Sequence, residues 1–160
     1  MMKKLLLPIL LALGLAVFAM GCGKPFDVKT APGFIELEHQ EPTYQYRATT
    51  PEGVVVGVQV IELEGDNAGD LAFWTRAITL QVRDVQGYAL VETRDVKSRD
   101  GTPGKELRFG HDEDNKPFVY RLTVYVKQKR LFMVEAGGTL PNFDKYEKSV
   151  QWMSDTLLLK

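Results

Sequence analysis

Four apolar segments, residues 88–97, 105–111, 118–126 and 131–136, follow one another with very little chain between them. A parallel crossover needs a dozen or more residues, so neighbours joined this tightly must pair antiparallel. The intervening residues are turn formers. Arg99-Asp100-Gly101-Thr102-Pro103-Gly104 is one such run, and 112–116 is another. In 118–126 the side chains of Phe118, Tyr120, Leu122, Val124 and Val126 share one face. Residues 131–136 are apolar on both faces apart from Glu135, which predicts an interior strand covered on each side.

Upstream, 44–49 and 54–62 flank Thr50-Pro51-Glu52-Gly53 and read as a hairpin, with a short strand at 34–37 before it. The period then changes. Leu71, Trp74, Ile78, Val82 and Val85 recur at spacings of three and four, predicting a helix over 68–85 capped by Asp66 or Asn67 and stopped at Gly87. A second helix opens at Pro141 and carries Phe143, Tyr146, Val150, Met153 and Leu157 as its core stripe. The expected class is α+β, with a mostly antiparallel sheet flanked by helices.

The first 22 residues set the address. Lys3 and Lys4 precede an apolar run over 5–18, interrupted by Pro8 and Gly14, and Ala19-Met20-Gly21-Cys22 follows. A membrane-spanning helix needs about 20 predominantly apolar residues, so this is signal-peptide anatomy. Ala19-x-Gly21 also suits an ordinary secretory signal, and either reading exports the chain. The segment resembles the lipobox of bacterial lipoproteins, with Ala19 and Met20 where that family usually has leucine and a small residue. The resemblance implies that Cys22, the only cysteine, is acylated and becomes the mature N-terminus. Thioether attachment removes a lone thiol that an exported domain would otherwise carry unpaired. Two or three acyl chains, at about 0.8 kcal/mol per buried methylene, anchor stably where one does not. Glycine after the cysteine implies the outer membrane, facing the periplasm, in a cell that has one.

The expected organisation is a signal peptide over 1–21, the lipidated cysteine and a tether over 22–32, and a single domain over 33–160. Lys3 and Lys4 leave with the signal, so the 20 basic residues fall to 18 against 21 acidic. Charges of both signs are interspersed, with no basic stripe of the kind that binds nucleic acid.

Residues 87–92 (Gly-Tyr-Ala-Leu-Val-Glu), 100–105 (Asp-Gly-Thr-Pro-Gly-Lys), 130–136 (Arg-Leu-Phe-Met-Val-Glu-Ala) and 143–146 (Phe-Asp-Lys-Tyr) resemble the PsbP-like superfamily, which includes envelope lipoproteins of the DcrB type. The resemblance spans about residues 33–160. It implies an α/β/α sandwich and a binding or assembly role, and it carries no partner-contacting residue over to this chain.

Chemistry-bearing patterns are sparse. His111 precedes Asp112-Glu113-Asp114-Asn115, a run lacking the alternating ligands and glycine of a calcium loop, and is read as the start of a solvated turn. His39 has no second nitrogen or sulfur ligand near it in sequence. There is no nucleophile elbow, and the glycines at 101, 104, 137 and 138 make no phosphate loop. Neither an enzymatic activity nor a catalytic, metal or cofactor-binding residue is expected, and Cys22 is the one site residue. What remains is aromatic surface: Phe73 and Trp152 fall beside the helical core stripes, and Tyr44, Tyr46, Tyr88 and Tyr125 sit on strands. The expected function is a lipid-anchored, non-catalytic binding or assembly module of the cell envelope, held to the membrane by its anchor and engaging a protein partner of unknown identity. A periplasmic binder of a small or lipid-like ligand is the alternative.

Overall fold

The computed structural model describes residues 23–38, 42–65 and 69–160. Nine strands and two helices follow in the order β1 (Phe26–Asp27), β2 (Ile35–Glu36), β3 (Tyr46–Thr49), β4 (Val55–Glu62), α1 (Leu71–Leu80), β5 (Ala89–Lys97), β6 (Pro103–Glu113), β7 (Lys116–Lys127), β8 (Arg130–Thr139), α2 (Leu140–Thr156) and β9 (Leu158–Leu159). Seven strands form one sheet in the order β2-β3-β4-β8-β7-β6-β5, and every neighbouring pair is antiparallel. The close spacing of the four downstream segments therefore did dictate a meander. β8 closes it by pairing with β4, which places it in the interior with partners on both edges.

Alternation along β7 sorts the layers. Leu122 and Val124 point to one face, where they join Leu63 and Leu131 beneath Leu71, Trp74 and Ile78 of α1. Val119 and Tyr125 point to the other, where Phe132, Val134 and Ala136 meet Phe143, Val150 and Met153 of α2. The result is a helix–sheet–helix sandwich, an α+β fold with a mostly antiparallel sheet.

The two helices are seated differently. α2 buries Phe143, Val150 and Met153 completely, whereas α1 has no fully buried residue. α1 begins at Leu71, later than the spacing predicted, because the Asp70 carboxylate caps it by accepting from the Phe73 N–H at 2.8 Å. The expected caps Asp66 and Asn67 lie outside the described residues. After Leu80 the chain relaxes into a π-helical turn, Gln81–Val85, in which the Gln86 N–H reaches back to the Gln81 carbonyl at 3.3 Å. Gly87 follows at φ 76°, the left-handed stop its position predicted.

The tether boundary needs correction. Residues 1–22 lie outside the description, so neither the signal nor Cys22 is placed, but the domain begins well before residue 33. β1 pairs antiparallel with β9 as a separate two-stranded ribbon, and Phe26 and Ala31 are 1% and 2% exposed within the α2-side core. The Lys160 N–H donates to the Pro25 carbonyl at 2.9 Å, tying the start of the described domain to its last residue. A two-residue strand has no period to read. Leu157, expected on the last helical stripe, is instead the extended residue that ends α2, buried there beside the ribbon.

Candidate functional site

α1 covers only part of its face of the sheet, and the uncovered part forms a cleft of about 300 Å³. Register alone builds its floor. Arg47 on β3 stands opposite Gly57 on β4, Gly57 opposite Glu135 on β8, and Glu135 opposite Leu122 on β7. One pair further along the sheet, Gly137 lies opposite Tyr120. Gly57 and Gly137 contribute no side chain, so the surface is hollow between rows of larger residues. The Tyr44 ring lies over Gly57, and its hydroxyl donates to Glu135 Oε2 at 2.8 Å. Phe118 and Tyr120 stand along the other wall.

Glu135 is the carboxylate of the cleft. Burial pushes its carboxyl above the ordinary range, and hydrogen bonds from Tyr44 and Tyr120 only partly offset this. Burial, reinforced by the Glu135 charge, drives the Tyr120 hydroxyl far above its usual value, so it stays protonated and donates. Arg47 lines the same cleft, with its guanidinium carbon 5.3 Å from the Tyr44 ring centroid. In sequence, Glu135 stood out only as the polar exception in an apolar strand. Its two partners lie 91 and 15 residues away along the chain and gave no signal.

A larger cleft of about 690 Å³ adjoins, with Phe118 lining both. It opens beside the start of β5, where β6 runs on past the Ala89–Gly110 pair with β7 as its only partner. A bulge at Val91 leaves that side chain 67% exposed on the rim. The expectation of a solvated turn after His111 holds for Asp114 and Asn115, which take left-handed φ of 50° and 60°. His111 itself does more than start a turn. Its ring stacks on Tyr88 at 4.0 Å and 3°, its Nδ1 is buried with no hydrogen-bond partner among the described residues, and Nε2 is 3.8 Å from Glu113 Oε2. His39 lies outside the described residues. Among the described residues no three His, Cys, Asp or Glu side chains gather as metal ligands.

On the α2 face the sheet carries a charge network that the sequence did not reveal. Arg121 and Glu106 are 2% and 3% exposed, with Arg121 Nε 3.7 Å from Glu106 Oε2. Arg94 clamps the other Glu106 oxygen, and Arg121 donates to Gln151 and Ser154 of α2 at 3.2 Å each. Burial lowers the Arg121 pKa. The aromatic expectations divide: Phe73 and Trp152 are exposed, whereas Tyr46 and Tyr125 are buried in the core.

No family model matches the chain, and no curated protein is detectably similar to it in sequence. Similarity emerges in three dimensions, and it defines the fold as PsbP-like. The cyanobacterial PsbP protein of Synechocystis superposes with a TM-score of 0.59 at 11% identity, covering 85% of this chain and 87% of its own. LpqN of Mycobacterium tuberculosis, described as involved in cell envelope biogenesis, gives 0.65 at 9% identity over 84% and 83%. A protein of unknown function from Pseudomonas aeruginosa gives 0.55 at 13% identity over 88% of each chain. At such identities the likeness is one of fold.

Proposed function

We propose that this chain is a lipid-anchored protein of the cell envelope whose PsbP-like domain is a non-catalytic binding module, with the Glu135 cleft as its binding site. The observation that carries the reading is the set of groups around Glu135. Two phenol hydroxyls donate to one carboxylate, and a phenol held protonated is a fixed hydrogen-bond donor rather than a proton shuttle at neutral pH. Such an arrangement orients and recognises. The cleft is concave, mostly apolar and small, with polar atoms at one point, as a binding pocket requires.

The envelope address is supported by the export signal with Cys22 at its end, and by the description of LpqN as an envelope-biogenesis protein. Among the described residues no helix is long and apolar enough to cross a membrane. Acylation of Cys22 is the proposed means of attachment. The anchored protein is expected in the membrane fraction, labelled by alkynyl fatty acid, with Cys22→Ala losing the label. Label retained in Cys22→Ala would overturn the anchor. For the cleft, a fragment mixture is expected to shift the amide resonances of Gly57 and Gly137.

A second reading, docking of a protein partner, is favoured by apolar side chains left in solvent on α1 and around β5: Phe73, Leu80, Val85 and Val91 are each 45% or more exposed. Crosslinking in living cells separates the two. One dominant captured protein, lost in Cys22→Ala, favours the partner, and a co-purifying small molecule favours the cleft.

A further inference from the structure

Resting on the reading of this cleft as a binding site, we propose that it takes an organic ammonium group, held between the Glu135 carboxylate and the rings of Phe118 and Tyr120, with Tyr44 as the opposite wall. Three aromatic side chains and one carboxylate line a space of about 300 Å³, the lower limit of ligand pockets, so the occupant has few heavy atoms. The two tyrosine hydroxyls satisfy lone pairs of Glu135. As neutral donors they do not cancel its negative charge, and the cation that shares the cleft, Arg47, lies over the Tyr44 ring. A half-buried carboxylate in apolar surroundings repels an anion and gains nothing from a neutral apolar guest. A cation restores what burial took from it.

The walls fit the same guest. Aromatic faces attract ammonium groups through their quadrupole, most strongly where water is excluded. The cleft already displays this contact once, since Arg47 lies over the Tyr44 ring with its guanidinium carbon at 5.3 Å. Arg47 also repels a second cation from its own side, which directs the ammonium toward Glu135, Tyr120 and Phe118. Gly57 makes room for the Tyr44 wall, and Gly137 adds no side chain to the hollow that admits the guest.

The test uses the full protein as isolated from membranes in a nonionic detergent. Choline and n-butylammonium are titrated against their neutral isosteres 3,3-dimethylbutan-1-ol and n-butanol, following the Gly57 and Gly137 amides. The ammonium ions are expected to saturate the site with at least about tenfold higher affinity than the isosteres, about 1.4 kcal/mol. Glu135→Gln, which keeps volume and one acceptor oxygen, is expected to abolish that preference. Saturation by the free ions assigns a soluble amine, and a response confined to phosphatidylcholine bicelles assigns a lipid headgroup. Equal affinity for the isosteres, or an unchanged preference in Glu135→Gln, overturns the ammonium class and leaves the cleft a binding site. Stationary Gly57 and Gly137 amides with every probe, and with a neutral fragment mixture as well, overturn both.

Discussion

Tyr44 lies across Gly57 so closely that a β-carbon at position 57 would stand 2.7 Å from the ring's Cε1. The contact lets a side chain from beyond the end of β3 cross the whole width of β4 and place its hydroxyl 2.8 Å from Glu135 on the next strand. Glycine in a strand interior weakens it and marks close approach of another group. Here the approaching group is the wall of the cleft.

Gly57→Ala is therefore expected to push the Tyr44 ring outward and break its bond to Glu135. The overpacking costs about 1–3 kcal/mol, read from urea unfolding. Tyr44→Phe removes only the hydroxyl and is expected to cost about 1.5–3 kcal/mol, as for a hydrogen bond to a charged group. In a Tyr44→Ala background Gly57→Ala is expected to lose most of its penalty, because the clashing ring is gone.

Glu135 gives the cleft a pH signature. Its folded-state pKa is raised, chiefly by burial, so the folded protein holds this proton more tightly than the unfolded chain does. Stability is expected to fall as pH rises from the unfolded value of about 4.3 through the raised folded value. Glu135→Gln keeps an acceptor for Tyr44 and carries no charge. It is expected to flatten this part of the profile and raise the melting temperature at neutral pH. A melting temperature lower than wild type at pH 7 would contradict the account.

Phe26 tests where the domain begins. It is 1% exposed and sits in the α2-side core, in a segment with the composition of a linker. Phe26→Ala is expected to cost about 3–5 kcal/mol, whereas a tether residue would cost nothing measurable. Thermal or denaturant melts decide between these, and the β1–β9 amides are expected to lose exchange protection first.

Glu106 holds two arginines at once, Arg121 within the core and Arg94 at its edge. Glu106→Gln leaves Arg121 nearly buried without its counter-charge, and the expected cost is about 3–5 kcal/mol. Double replacement, Glu106→Leu with Arg121→Met, is expected to recover most of it, since an apolar pair of similar volume needs no solvation. Both are read by chemical denaturation.

How much could be read in advance follows the range of the forces involved. The β5–β8 meander was legible because chain length between neighbours restricts pairing geometry, and the 71–82 and 143–153 stripes because side-chain period is local. The helix start moved from 68 to 71 because capping depends on one carboxylate, Asp70, meeting one N–H. The β1–β9 ribbon was invisible because its four residues pair across more than 130 positions, and two residues carry no period. Buried Arg121 and Glu106 looked like polar residues on an amphipathic pattern. Only the covering helix α2 turned their face into interior.

By itself the sequence determined an antiparallel sheet and two helices on it. These depend on hydropathy, spacing and turn chemistry among near neighbours. The tertiary structure alone decided that β8 lies between β4 and β7, and with that which side chains line the proposed site. Their register brings Gly57 beside Glu135 and sets Tyr44 and Tyr120 against its carboxyl. The proposed binding site is a coincidence of side chains from separate strands, and no local periodicity encodes which strands become neighbours.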